Sequence, residues 1–518
     1  MRTLAAIDIG SNSTHLLIVE VGSDGSFRVL ESAKEQTRLA ADLDDRLMFD
    51  AQALNKMVVV LKKMRDMASR YQAQIRCVAT HALREARNGS EFANRLSRRL
   101  AMPIDIVSGQ EEARLVSLGV RFGLPLSSQP TLIVDVGGGS TEIVVCQRDE
   151  VLFATSLKLG AVRLTQKFLK SDPFSDGDLR ALEGYVLSRL EPVCHEIKRL
   201  GFESAVGSSG TIKSLQSLSM ASHSAELPKS LHGTQLSLGD LLEVYQTLCR
   251  NKSVQERRML ANMDAKRADI IVAGAVVLKI LGELCGVRSY QISETALREG
   301  IVVDTLAREF SWLRGESGDV RWQNVRAYGA RMHLDEPHAW HITNLTMSLF
   351  DSMEFRPSLG GSWRELLRCA AYLHECGKFI NLSGFHKHGD YLIRNSAMMG
   401  FSRKELDAIG ALVRFHRKRT PRADDDCFEN MDPHDILNIK KLSSLLRLAV
   451  SLDRGRLGRI RGVKLSTVRA GQAVLTVSIA EHSDAGIELY ELNCEKGPFE
   501  TAFDVKLEVR RGDSAEIR

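Results

Sequence analysis

Asp8 and Asp135 each close a strand-length apolar run and open a turn of small residues, in LAAIDIGSNSTHLLIV from Leu4 and TLIVDVGGGSTEIVV from Thr131. The two aspartates stand 135 − 8 = 127 positions apart. An apolar run, a Gly/Ser/Asn turn and a second β-rich run read as a β-hairpin. Such a turn gathers backbone N–H groups and leaves no large side chain in the way of a phosphate. Ser11, Asn12 and Ser13 are the candidate phosphate-facing residues of the first copy; Gly137, Gly138, Gly139 and Ser140 are those of the second. A carboxylate at the strand end would repel phosphate directly, but it can hold Mg²⁺, or a water on Mg²⁺, that touches phosphate. Glu142 would lie opposite Asp135 on a single strand, yet the turn between them lets both face one cleft. Asp135 and Glu142 are therefore candidate Mg²⁺ ligands, with Asp8 as the equivalent in the first copy. Two unrelated hairpins would not share matching flanks, so the pattern predicts two similar lobes that clamp a phosphate chain from both sides.

Other residues with chemistry to offer lie between and beyond the hairpins. Glu111 and Glu112 follow IVSGQ, where strand, glycine loop and helix start are expected. Acids in a first helical turn also arise simply to oppose the helix dipole. Gly207, Ser208, Ser209, Gly210 and Thr211 form a glycine-rich stretch before a helix, a ready anion or nucleotide site. Arg84 carries a forked donor suited to phosphate oxygens, although an exposed helix arginine is the common alternative. Arg267 is a further phosphate candidate and Arg298 another; either can equally pair with an acid. No GxSxG or Walker-type loop is present, which favours direct attack by water over a covalent route.

The elements that must position these groups follow from periodicity. Residues 1–124 alternate strand and helix patterns: an amphipathic helix over 51–71, a buried strand over 74–80, a helix over 89–101 and a strand over 104–107. The Pro/Ser-rich 123–130 stretch marks a lobe boundary, and the α/β alternation repeats from 131 to about 305. A connector is expected near 306–325, then an almost wholly helical region to about 458. The last stretch reads as a small antiparallel sheet packed on a helix or two. A chain of 518 residues with 44% hydrophobic and 26% charged content is an ordinary multidomain globular protein. Its net charge of +5 does not by itself argue for a polyanion partner. Nine scattered cysteines without C-x-x-C spacing fit a reducing compartment. The longest apolar run, 270–278, is too short to span a bilayer, so a cytoplasmic protein is expected.

The paired hairpins resemble the phosphate loops of the actin, sugar kinase and Hsp70 superfamily. VATHALREARN (78–88), IVSGQEEARL (106–115), GSSGTIKSL (207–215) and ISETALREGIV (292–302) narrow this. Together they resemble the exopolyphosphatase and guanosine pentaphosphate phosphohydrolase family, strongly over the first 305 or so residues and more loosely beyond. The resemblance implies an α/β fold of two actin-like (ribonuclease H-like) lobes, 1–124 and 125–310. An all-α HD-like domain over 311–465 and a small α+β, β-rich C-terminal domain over 466–518 would follow. It places Glu112 where the family has its general base, and makes Arg84 a substrate contact. It implies Mg²⁺, with a monovalent cation such as K⁺ as a possible addition, and a homodimer. Release of terminal orthophosphate from inorganic polyphosphate is the main expectation; conversion of guanosine pentaphosphate to the tetraphosphate at the same site is the alternative.

Within the helical region, His338, His374, His388 and Asp453 resemble metal ligands of the HD phosphohydrolase pattern. The family's His-Asp doublet is His374-Glu375 here, and a degenerate site kept for packing and substrate passage is the favoured expectation. Two basic runs, 414–422 and 454–464, hold five Arg/Lys residues each and would suit a polyanion channel. Nucleic acid is not expected, because no aromatic residues interleave for stacking. A kinase or chaperone of the actin-like superfamily, or a catalytically idle polyphosphate or nucleotide sensor, are the readings from other classes. The EEARL motif argues against the first, and the intact Glu112, Asp135 and Glu142 argue against the second.

Overall fold

A computed structural model of the chain describes residues 2–22, 27–43, 46–223, 227–307, 320–353, 361–396, 398–429, 431–469, 471–481 and 483–512. They fall into two units, Met1–Gly318 and Asp319–Arg518. Most of the connector expected near 306–325 lies at 308–319, outside the described residues.

The first unit contains two mixed sheets built to one plan. Strands β1 (Arg2–Ile9), β2 (Thr14–Val21), β3 (Phe27–Glu35), β4 (Gln74–Ala79) and β5 (Ile104–Ile106) are ordered β3-β2-β1-β4-β5. Strands β6 (Thr131–Val136), β7 (Thr141–Gln147), β8 (Glu150–Leu157), β9 (Ser204–Ser208), β10 (Gln235–Ser237) and β11 (Ser289–Ile292) are ordered β10-β11-β9-β6-β7-β8. In each sheet a hairpin meander runs antiparallel on one side of the first strand, and a crossover strand pairs parallel on its other side. The second sheet adds β10 as an antiparallel edge strand. The central strands carry continuous apolar runs because both faces are covered: all six residues of β6 are buried.

The helices of the first half are α1 (Ala51–Arg70), α2 (His81–Glu85), α3 (Gly89–Leu100) and α4 (Gly109–Gly123). Those of the second half are α5 (Ala161–Phe168), α6 (Asp176–Leu200), α7 (Ser209–Ser222), α8 (Leu238–Arg250), α9 (Val254–Arg258), α10 (Ile271–Cys285) and α11 (Leu297–Ala307). The apolar 270–278 run is the buried start of α10. One core joins the sheets: Leu4, Ala6 and Val78 on the first and Ile133, Val144 and Val206 on the second pack with α4 and α11. These two helices meet backbone to backbone. A Cβ on Gly119 would stand 1.8 Å from the Ala296 carbonyl oxygen, and one on Gly300 would stand 1.8 Å from that of Leu115. Only glycine permits this approach, and it fixes α4, which carries Glu111 and Glu112 on its first turn.

The second unit is helical for most of its length: α12 (Val320–Arg331), α13 (Glu336–Asp351), α14 (Gly361–Leu373), α15 (Phe385–Arg394), α16 (Arg403–Phe415) and α17 (Pro433–Ser451). Strands β12 (Ile460–Arg469), β13 (Gln472–Ile479) and β14 (Lys506–Arg511) follow, with α18 (Gly486–Glu495) and α19 (Gly497–Phe503) before the last strand. The sheet is not wholly antiparallel as the sequence suggested. β14 pairs parallel to β13, because two intervening helices carry the chain back to the same end of the sheet. Leu465 and Leu475 of the sheet share one core with Ile439, Leu442 and Leu445 of α17.

Candidate active site

Both hairpin turns have the same local geometry. Gly10 N–H donates to the Ser13 carbonyl at 3.1 Å, and Gly137 N–H donates to that of Ser140 at 3.0 Å. Register then sets the side chains. Asp135 lies directly opposite Glu142, and Asp8 directly opposite His15, so each pair shares one face of its sheet. The two copies differ in chemistry at this strand position: a histidine in the first lobe stands where the second has a carboxylate.

The two turns face each other at close range. A Cβ on Gly138 would meet Asn12 Cβ at 2.9 Å. A Cβ on Gly139 would meet Ser11 Oγ at 2.4 Å and His81 Cδ2 at 2.2 Å. Behind them Gly160, which no motif in the sequence marks, lies so close that a Cβ added there would stand 2.3 Å from the Gly139 backbone. Between the lobes opens a cavity of about 410 Å³. Ser11, Asn12 and Ser13 line it from one side; Gly137, Gly138, Gly139 and Ser140 line it from the other.

Four carboxylates, Asp8, Glu112, Asp135 and Glu142, reach this cavity from β1, α4, β6 and β7. All are buried or nearly so, and each is held above its ordinary value. Burial, then Glu112, pushes Asp8 up to about 8, with Asp135 adding to the effect. Burial raises Glu112 against the opposing pull of Arg84. It raises Asp135 against the hydrogen bond from Ser208, and carries Glu142 well up with help from Glu112 and Asp135. Ser208 Oγ donates to Asp135 Oδ2 at 2.5 Å and Ser156 Oγ to Glu142 Oε1 at 2.8 Å. Asp8 Oδ1 is buried without a hydrogen-bond partner. Crowded oxygen acids with an orphaned acceptor fit a hard dication such as Mg²⁺, which neutralises them and supplies the missing partner.

Basic groups line the same cavity, alongside Asp264 and Glu294. Lys34, Lys213, Arg267 and Arg298 line it, as does His15. Burial, then Arg298 and Lys34, pushes His15 down to about 3, and burial with Arg267 brings Lys34 down to about 8. Arg267 packs over Gly210, where a Cβ would collide with its guanidinium, and lies 3.6 Å from Asp264. Arg298 stands 3.5 Å from Glu299. The sequence marked Arg267 and Arg298 but not His15, Lys34 or Lys213. Single lysines in otherwise regular elements carry no local signal; only register with Asp8 could have flagged His15.

Several expected phosphate contacts lie elsewhere. Ser209 and Gly210 line the cavity, but Gly207, Ser208 and Thr211 do not. Gly207 and Ser208 are inside β9, and Thr211 Oγ1 donates to the Val136 carbonyl. The stretch is a strand-to-helix junction rather than a loop, with Ser209 held at φ 81. Arg84 is also outside the lining; its Nη1 donates to Glu112 Oε2 at 3.0 Å and to the Val107 carbonyl at 2.9 Å. The adjacent glutamates part company. Glu111 is gripped by Arg114, Nε to Oε2 and Nη2 to Oε1, both at 2.7 Å, and Arg114 also bonds Asp304 of α11. The first-turn cap is supplied by Ser108 instead. Replacing Glu111 by alanine is expected to destabilise the fold by about 3 kcal/mol, the cost of breaking a buried pair. Chemical denaturation of the variant checks this.

Residues 17–309 match the Ppx/GppA phosphatase family, and residues 320–496 match Ppx/GppA phosphatase, domain III. The chain belongs to the Ppx/GppA phosphatase family. It is therefore a hydrolase acting on phosphoanhydride bonds. The guanosine-5'-triphosphate,3'-diphosphate pyrophosphatase of Pseudoalteromonas atlantica is 29% identical over 420 residues, 80% of each chain. The crystal structure of a Cytophaga hutchinsonii exopolyphosphatase shares the fold at TM-score 0.55 and 24% identity, covering 59% of this chain and 98% of its own. The Aquifex aeolicus Ppx/GppA family member aligns at TM-score 0.52 and 26% identity, covering 60% and 99%. Both solved structures thus align along nearly their whole length with about three-fifths of this chain.

In the second unit, ligand atoms of His338, His374 and Glu375 lie within 4.8 Å of one another. Asp453 does not join them as a donor; its Oδ2 accepts from His338 Nδ1 at 2.9 Å. His388 is not part of the cluster. Among the described residues, no helix is long and apolar enough to cross a membrane.

Proposed function

We propose that this chain removes the terminal phosphate of guanosine pentaphosphate, giving guanosine tetraphosphate and orthophosphate. The observation that carries the hydrolytic step is Glu112, buried at the start of α4 among three further acids and facing the paired phosphate turns. Glu112 takes the proton of the attacking water as oxygen bonds to the terminal phosphorus, and the bond to the bridging oxygen breaks. Backbone N–H groups of the two turns hold the phosphate oxygens in line. Asp8, Asp135 and Glu142 would hold Mg²⁺, which supplies charge neutralisation at the phosphate oxygens. Lys34, Lys213, Arg267 and Arg298 bind the remaining phosphates of the substrate. Arg84 steadies Glu112 until a phosphate oxygen offers it an alternative partner.

The choice of nucleotide rests on the Pseudoalteromonas relative, whose named substrate is guanosine pentaphosphate and whose match runs across both units. This reverses the order of the two substrates expected from the sequence. Polyphosphate remains the second reading, supported by the two basic runs of the second unit. Orthophosphate release from each substrate, with Mg²⁺, tests both. A higher kcat/KM for the nucleotide is expected; hydrolysis of polyphosphate with none of the nucleotide would overturn this order.

A further inference from the structure

The C-terminal unit contains a second cluster of ligating groups unrelated to the phosphate cavity. His374 follows α14, and its Nδ1 lies 2.8 Å from the Ala371 carbonyl, a contact only a protonated Nδ1 can make. That tautomer leaves a lone pair on Nε2, and His374 Nε2 is buried with no hydrogen-bond partner. His338, on the first turn of α13, is oriented the same way: its Nδ1 donates to Asp453 Oδ2, which frees Nε2. Both free nitrogens point to Glu375, with Nε2 to Oε1 distances of 4.0 Å from each ring. A distance of 4.0 Å is too long for a hydrogen bond. Tetrahedral ligands about 2.0–2.2 Å from one cation stand about 3.3–3.6 Å apart, so closing these gaps by a few tenths of an ångström brings the atoms onto a single ion. An outward carbonyl or carboxylate on Nδ1 of each imidazole is also how metal-bound histidines are held.

We propose that His338 Nε2, His374 Nε2 and Glu375 Oε1 bind one first-row transition-metal dication of the Zn²⁺ type. Two imidazoles and one carboxylate favour Zn²⁺, Fe²⁺ or Co²⁺ over Mg²⁺. Three protein ligands leave a coordination position open. Glu375 also accepts from Lys378 Nζ and Arg456 Nη2. Arg456 reaches both carboxylate oxygens and can stay on Oε2, whereas the Lys378 ammonium competes with the metal for Oε1 and must swing away. The other three-residue cluster of this kind among the described residues, His223, Asp240 and Glu243, is largely exposed and has no such orphaned nitrogen.

The test uses the full chain, stripped with chelator and titrated with Co²⁺ in a large excess of Mg²⁺ that fills the carboxylate site of the phosphate cavity, following its visible absorption bands, with Zn²⁺ content measured by elemental analysis. A nitrogen-ligated Co²⁺ spectrum at one ion per chain is expected. Affinity should fall more than about tenfold in His374→Ala and Glu375→Gln, and about 10–100-fold in Asp453→Ala, which removes an outer-sphere partner. Lys378→Met should tighten binding, and Asp135→Asn, in the phosphate cavity, should leave the spectrum unchanged. Circular dichroism verifies that each variant is folded. An unchanged Co²⁺ spectrum in folded Glu375→Gln, or its loss in Asp135→Asn, would overturn the assignment.

Discussion

Replacing Glu112 by glutamine is expected to lower kcat for the phosphohydrolase reaction by about 10²–10⁴-fold, the usual contribution of a positioned general base. KM should change little. The amide keeps the size of the side chain and can still accept from Arg84 Nη1, now at 3.0 Å from Glu112 Oε2. What it loses is the capacity to take a proton from water. The charge environment sharpens the prediction. Burial holds the Glu112 carboxyl above its ordinary value. The acid limb of kcat/KM should therefore lie above the pH at which an ordinary glutamate titrates. Activity within fivefold of wild type in the glutamine variant would remove Glu112 from the chemistry. The contrast with its neighbour makes the test specific. Glu111→Ala should lower stability through Arg114, and Glu112→Gln should leave the melting temperature nearly unchanged.

That contrast also shows where the sequence stops speaking. Glu111 and Glu112 occupy adjacent places on one first turn, and spacing gives both the same chance of capping or catalysis. Their difference comes from Arg114 and from Asp304, which stands 190 positions after Arg114. A contact at that range leaves no local trace; only the family resemblance distinguished the two. The paired turns were legible for the opposite reason. Close approach of Gly138 and Gly139 to Ser11, Asn12 and His81 excludes larger residues, so the steric demand is written directly as glycine. The GSSGT stretch was half legible. Its composition signals tight packing at a strand-to-helix junction, and which of its residues face the cavity depends on the parallel pairing of β9 with β6. The basic lining was the least legible part, since Lys34 and Lys213 come from β3 and α7 and meet only after folding. In the second unit the sequence marked four candidate ligands and placed Asp453 among them. The structure gives its carboxylate to His338 Nδ1 and puts Glu375 in the position facing both rings.

The second large effect concerns the four acids and the Mg²⁺ proposed for them. Without a dication, Asp8 keeps its proton up to about pH 8. An unfolded aspartate loses it near pH 4. Between those values the folded chain binds more protons than the unfolded one at this site, so its contribution to stability falls as pH rises. Asp135, Glu112 and Glu142 are raised in the same direction. The buried histidines run the other way: His15 and His81 are pushed down to about 3 by burial, and their contribution is lost as pH falls below 6.5. Comparing chelated and Mg²⁺-saturated protein at each pH cancels the part of the histidine effect common to both. Mg²⁺ needs the deprotonated acids, so the rise in melting temperature on adding it should be larger at pH 8 than at pH 6. If Asp8 alone releases its proton, the apparent Mg²⁺ affinity should rise by about tenfold per pH unit below its own titration, or ~10²-fold from pH 6 to pH 8. Calorimetry at pH 7 in two buffers of different ionisation enthalpy reads the same event as protons released per Mg²⁺ bound. Asp8→Asn should reduce that number by close to one. A value of zero in the wild type would mean that the cation does not enter among these acids, and the orphaned oxygen of Asp8 would then have to answer to the phosphate turn itself.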